Sequence, residues 1–254
     1  MSPDRSQTSY QESAAGLARR ALGALRGAGG TAMVAEHVES APDPGAALAA
    51  IRILGADALA PALLSGGTVH PRDAEAVALA FTALPPARDV TPPPPAGPAN
   101  PWLMAWRDWG TVTLLAVLSD ETAGGRVRGT DGRLTVVQPA PPPPAGAATG
   151  NDDAWAAWSV TMGQLSTLAL PGLDGPVHDA ARSSPLGLAR GATRAVLRRD
   201  YPTAARIVRW LAWLHSDGVR TPLDPAPLVE HISLLAGGDR LALDTAIARR
   251  LLTV

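Results

Sequence analysis

Cysteine is absent from the 254-residue chain, and so is lysine. The first absence excludes disulfide staples, thiol catalysis, iron–sulfur ligation and zinc sites built on Cys. The second excludes Schiff-base chemistry and the Gly-x-x-x-x-Gly-Lys phosphate loop. All 22 basic residues are therefore arginine. Aromatics are scarce apart from one type: Phe81, Tyr10 and Tyr201 stand beside seven Trp. No Gly-x-Ser-x-Gly is present, and no Gly-x-Gly-x-x-Gly follows a candidate strand. The glycine pairs instead follow helical patterns, where they serve as C-caps.

The five histidines (His37, His70, His178, His215, His231) form no compact metal-ligand spacing. His178-Asp179 is the one adjacent His-Asp pair, in the loop-like context Gly175-Pro-Val-His-Asp. No further ligand stands at a convincing distance from it. His70 and Asp179 read as helix-start residues. No metal and no cofactor are expected. The N-terminus is polar and lacks a signal-peptide pattern. Trp102 to Leu118 is the most apolar window, but Arg107 and Asp108 interrupt it, and it falls short of the ~20 apolar residues of a membrane span. A cytoplasmic chain with no membrane association is the expectation.

What remains is enough to fold. Hydrophobic residues make up 46% and charged residues 18%, with a net charge of −1. Alanine-rich composition favours helix. Leu, Val, Ile and Trp must then build the core. Two proline stretches, 85–101 and 139–150, each contain Pro-Pro-Pro-Pro-Ala-Gly and read as polyproline II linkers. They divide the chain into a disordered N-terminus (1–10), an N-terminal helical part (11–84), a middle segment (102–138) and a C-terminal helical part (151–254).

In the first part, Ser9-x-x-Glu12 reads as a capping box opening a helix to about Arg26. Thr31 caps a second helix, through Val38. Asp43-Pro44 opens a third, stopped by Gly55. A short helix spans Asp57 to Leu64, and His70-Pro71 opens another. The middle segment reads as a Trp helix from Asn100-Pro101 to Gly110, then a strand, Thr111 to Leu118. A hairpin of Arg126 to Thr130 and Arg133 to Val137 turns at Asp131-Gly132. One continuous buried helix from Trp102 to Leu118 is the alternative. The C-terminal part reads as helices opened by Asn151, Pro185, Pro202, Asp224-Pro225 and Asp239. The fold class expected is mainly α (α+β): helical domains with a small antiparallel β-hairpin or three-stranded segment between proline-rich linkers.

The tryptophans fall in three groups at helical spacing: Trp102, Trp106, Trp109; Trp155, Trp158; Trp210, Trp213. They form either core or an aromatic-lined groove for a partner or apolar ligand. The Trp210 helix is apolar nearly all round, so it must be enclosed on several sides. Arg190, Arg194 and Arg198 recur every four residues as one basic stripe, whereas Gly30 to Arg88 is net acidic. The stripe is either a solvated face or a site for phosphates or an acidic surface. No helix-turn-helix or RNA-binding pattern supports nucleic acid. The sequence thus points to a non-catalytic interaction component, an adaptor or assembly subunit, whose partner is another protein and which is a possible homo-oligomer. Two other readings stand beside it. One is an enzyme or small-molecule binder with a Trp-lined pocket; the other is weak nucleic-acid binding through the arginine stripe.

Overall fold

The computed structural model describes residues 3–86, 89–123, 134, 136–142, 154–235 and 237–253. The chain divides into two compact units, Met1–Pro139 and Ala140–Val254. Every regular element among the described residues is helical.

The first unit holds α1 (Pro3–Leu25), α2 (Met33–Ser40), α3 (Pro44–Leu54), a 3-10 turn (Gly55–Ala58), α4 (Ala60–Leu64), α5 (Pro71–Ala83) and α6 (Ala99–Ala123). The third helix begins as its sequence dictates. Asp43 accepts the Ala46 N–H at 3.1 Å, Pro44 occupies the first turn, and Gly55 closes it at φ 66°. His70 caps α5 by accepting from the Arg72 N–H at 3.2 Å. Other starts differ from the reading above. The first helix already runs from Pro3, so Ser9 and Glu12 lie inside it, and residues 3–10 are helical. Helix α2 has no capping bond from its own N-cap, Ala32. Its free N–H groups are met from across the unit. The Asp73 carboxylate on α5 accepts from Val34 at 2.9 Å and Ala35 at 2.8 Å.

The largest correction concerns the middle segment. Thr111 to Leu118 is no strand: α6 continues unbroken through Gly110, and no strand occurs among the described residues. The reason is a single stripe. Trp102, Trp106, Gly110, Leu114 and Leu118 recur every four residues, and all are buried. Within the expected strand, Thr111, Leu114, Leu115 and Leu118 are buried and Val117 is exposed. That is not the alternation of a strand but the i, i+3, i+4, i+7 spacing of one helix face. Burial along it outweighs the β-branched residues between, and Thr111 Oγ1 donates to the Arg107 carbonyl at 2.7 Å in the usual helical manner. The hairpin expected at Arg126 to Thr130 and Arg133 to Val137 lies largely outside the described residues. Leu134 and 136–137, which are described, are not strand. The helical segment Pro44–Leu64 is 21 residues long and contains an 18-residue window of mean hydropathy 1.7, apolar enough to cross a membrane by length and composition. Two-thirds of it is buried within the protein, against α1, α5 and α6. That is how a core helix of a folded domain behaves.

The second unit holds α7 (Ala154–Gln164), a 3-10 turn (Ser166–Leu168), α8 (Pro176–Ser183), α9 (Pro185–Leu197), α10 (Tyr201–Ser216), α11 (Pro225–Leu235) and α12 (Asp239–Leu251). The supposed loop around His178-Asp179 is helix α8, with Asp179 in its first turn. The expected cap Asn151 lies outside the described residues. At the centre is α10, which touches α7, α8, α9, α11 and α12. Ala204, Ala205 and Ile207 through Leu214 are all buried. Two glycines permit close packing around it. A Cβ on Gly163 would sit 3.2 Å from Ile207, and one on Gly191 would collide with the Ser159 side chain.

Asp73→Ala strands two buried N–H donors of α2 and is expected to destabilise the first unit by about 2 kcal/mol. A fall in the chemical-denaturation midpoint without a change in slope checks this. An unchanged midpoint would show the α5-to-α2 cap to be energetically silent.

Candidate functional site

Tryptophan burial decides between core and groove. Trp102 and Trp106 are fully buried in the first unit; Trp158, Trp210 and Trp213 are buried in the second. Trp109 and Trp155 are half-buried. The seven do not form one described cluster: three belong to one unit and four to the other. Trp106 and Trp109 meet edge to face at 5.3 Å. In the second unit, the Trp210 Nε1–H donates to the Met162 carbonyl at 2.7 Å, satisfying an acceptor near the open end of α7. Trp210 and Trp213 stand edge to face at 5.6 Å.

His178 packs between those two rings, 5.5 Å from Trp210 and 5.0 Å from Trp213. It is wholly buried, and its Nε2 lies 2.9 Å from the Leu168 carbonyl. A carbonyl only accepts, so Nε2 carries the proton and donates. Burial, the largest influence, pushes the His178 pKa below 6.5. The ring is therefore neutral near pH 7. Its Nδ1 is buried without a hydrogen-bond partner. On the outer side of Trp213, the Arg182 guanidinium stacks at 4.9 Å and also meets Asp174 at 2.8 Å, Asp179 at 3.2 Å and Asp217 at 2.8 Å. These four groups pin α8 to the C-terminal end of α10.

A second polar centre lies beneath α10. Asp244 on α12 is buried and accepts from buried Arg209 at 3.2 Å and from Arg240 at 3.0 Å, with Arg206 at 4.0 Å. In the first unit, Arg52 plays the comparable part. It donates to the buried Asp108 on α6 and to the Leu84 carbonyl at 2.7 Å, and stacks on Phe81 at 5.5 Å. Burial raises the Asp108 pKa despite Arg52. These are structural ties rather than reactive sites.

Three grooves formed by described residues open on the surface, and no tryptophan lines these three. One of about 510 Å³ in the first unit contains Ser13, His37, Arg20 and Asp43. Ser13 Oγ and His37 Nε2 are 3.1 Å apart, and burial followed by Arg20 lowers the His37 pKa. A serine beside a neutral histidine invites a nucleophilic reading. The surroundings argue against it. Ser13 is inside α1, where backbone N–H groups already serve the helix and cannot receive an oxyanion. Arg20 is engaged by Ser40 at 2.9 Å and faces Glu36 at 3.8 Å; Asp43 is engaged in capping α3 and by Ser9. A further groove, of about 460 Å³, runs between Gly27 and Asp73.

The groove of about 400 Å³ between α7 and α9 is where the arginine stripe comes in. Its walls include Ala157, Val160 and Ala195, and its rim carries Arg194, Arg198 and Asp200. Arg190 is exposed on the same helix, outside the groove lining. Arg194 also lies over the half-buried Trp155 at 5.8 Å. Sequence spacing located this row; the groove beside it carried no sequence signal, since α7 and α9 are brought together only by folding. At the end of α9, Arg199 adopts φ 57°, the left-handed conformation usually left to glycine.

Among the described residues, no group of three or more His, Asp or Glu is arranged to hold a metal ion. No protein-family model, curated protein or solved structure matches the chain.

Two expectations follow. Because both His37 and His178 have pKa values below their unfolded value, the unfolded chain binds more protons as pH falls. Stability is then full above about pH 6.5 and is lost as the pH falls toward and through the folded values. His178→Gln should flatten the loss of melting temperature between pH 7.5 and 5; an unaltered slope refutes the assignment to His178. Arg199→Gly relieves a left-handed non-glycine residue and should stabilise the second unit by about 1 kcal/mol, read from its melting transition.

Proposed function

We propose that the chain is a protein-interaction component that makes contact through the outward face of α9 in the second unit. The observation that carries this reading is the composition of that face. Leu186 is 51% exposed and Leu197 79% exposed, although eleven positions separate them on one helix. Eleven residues make three turns, so both leucines stand on one line, with exposed Arg190 and Thr193 between them. The opposite side of α9 is already satisfied. Leu188, Ala189, Ala192 and Ala195 are buried against α7 and α10. An apolar line interleaved with arginine, on a helix whose opposite side is packed, has the character of an interaction surface.

The burial of five tryptophans supports a contact surface other than the Trp faces. It also weakens the enzyme or ligand-pocket reading, which needed an aromatic-lined cavity. The geometry around Ser13 and His37 supports structure more than turnover.

The test uses the full chain as bait in lysate of its source cells, with chemical cross-linking and identification of what is captured. One discrete protein should be enriched by the wild type. Leu186→Asp/Leu197→Asp should reduce that enrichment by at least about fivefold, equivalent to ~1 kcal/mol, while leaving the melting temperature unchanged. Capture of no discrete protein counts against the proposal. So does a measured turnover abolished by Ser13→Ala or His37→Gln.

A further inference from the structure

Some arginines of the second unit are paired with carboxylates and others are not. Arg182, Arg206, Arg209, Arg240 and Arg249 all face carboxylates within the unit. Arg190, Arg194 and Arg198 meet no carboxylate among the described residues, and Arg194 has only the Trp155 ring. The three form a row spanning about 12 Å along α9. Arg199 and Arg220 likewise meet no carboxylate among the described residues, but Arg190, Arg194 and Arg198 share one row, and that row runs beside a groove.

The groove itself has a two-part character. Its inner surface carries the apolar Ala157, Val160 and Ala195 beside Ser159 and Thr203; Val160 is 44% exposed. Its rim is cationic through Arg194 and Arg198. The one rim carboxylate, Asp200, accepts the Thr203 N–H at 3.2 Å and caps α10. The Ser159 hydroxyl already donates to the Ala156 carbonyl at 2.9 Å, so a phosphate backbone would use the cationic rim and leave the apolar surface idle, whereas an amphipathic peptide uses both parts at once. Carboxylates four residues apart on a helical segment repeat every ~6 Å, the same spacing as the arginines.

We infer that this groove docks an acidic amphipathic segment of a partner protein, with apolar side chains seated on Ala157 and Val160 and carboxylates paired with Arg194 and Arg198. Arg190 extends the charge row toward the leucine line. This deepens the interaction reading above and rests on it.

The probe is a fluorescein-labelled helical peptide of about 18 residues, with Glu at every fourth position and Leu and Ala on the adjoining face. Binding to the full chain is followed by anisotropy, beside a scrambled peptide of the same composition and a ~20-base-pair DNA duplex. The amphipathic peptide should bind at least about tenfold tighter than either control. Arg194→Gln/Arg198→Gln should weaken it at least about tenfold, and Val160→Asp should also weaken it, both with unchanged melting temperature. Arg194→Lys/Arg198→Lys keeps the charge and serves as the folded control, retaining most of the affinity. The inference is overturned if the peptide fails to bind, if the scrambled peptide binds equally, if the duplex binds tighter, or if the glutamine variant binds like the wild type. A cross-linked partner that ignores Arg194 and Arg198 sinks this inference while leaving the interaction reading intact. Capture of no partner sinks the interaction reading itself.

Discussion

A helix that is apolar around its whole circumference must be enclosed by others, and the second unit is organised by that requirement in α10. Its one buried charge makes the constraint stricter. Arg209 is wholly inside the unit, so it needs an acceptor where water does not reach, and Asp244 on α12 supplies it at 3.2 Å. Leaving either charge alone would cost roughly 3–5 kcal/mol. The pair therefore sets where α12 lies against α10. Trp210 fixes a second direction by donating to Met162 near the end of α7. His178 and Arg182 fix a third, around Trp213. With these sides of α10 occupied, α9 is held against it by alanines and has its outer face left for solvent.

The same economy holds in the first unit on a smaller scale. Arg52 joins α3, the end of α5 and α6 through Asp108 and Leu84. Asp73 joins α5 to α2. In each unit a few long-range polar ties give direction to helices whose alanine-rich faces supply little shape of their own. The tryptophans supply the bulk that phenylalanine would ordinarily provide.

How much of this was legible depended on the reach of each signal. Asp43-Pro44 and Gly55 bracket α3 because capping is local. The enclosure of α10 was legible because its apolar residues cover every face. Local signals misled where a longer pattern prevailed. Thr111 to Leu118 carries strand-favouring residues, but its buried positions 111, 114, 115 and 118 continue the helical face that starts at Trp102. The eight-residue α8 hid behind Gly175-Pro176. The cap of α2 lies 39 residues away at Asp73, and no local pattern could announce it. The arginine row was visible as spacing. Which arginines would be left unpaired was not, because Arg182–Asp217 and Arg209–Asp244 each span 35 residues.

The approach of α7 and α9 at Gly191 has an evolutionary consequence. A side chain larger than hydrogen there would strike Ser159 and push the helices apart, so the inner wall of the α7–α9 groove has almost no room to vary. The outer face of α9 is under no such restriction, since the side chains of Arg190 and Arg198 are exposed. Substitutions that the fold tolerates would therefore fall along the outer face of α9. The seat between the helices would be inherited nearly intact.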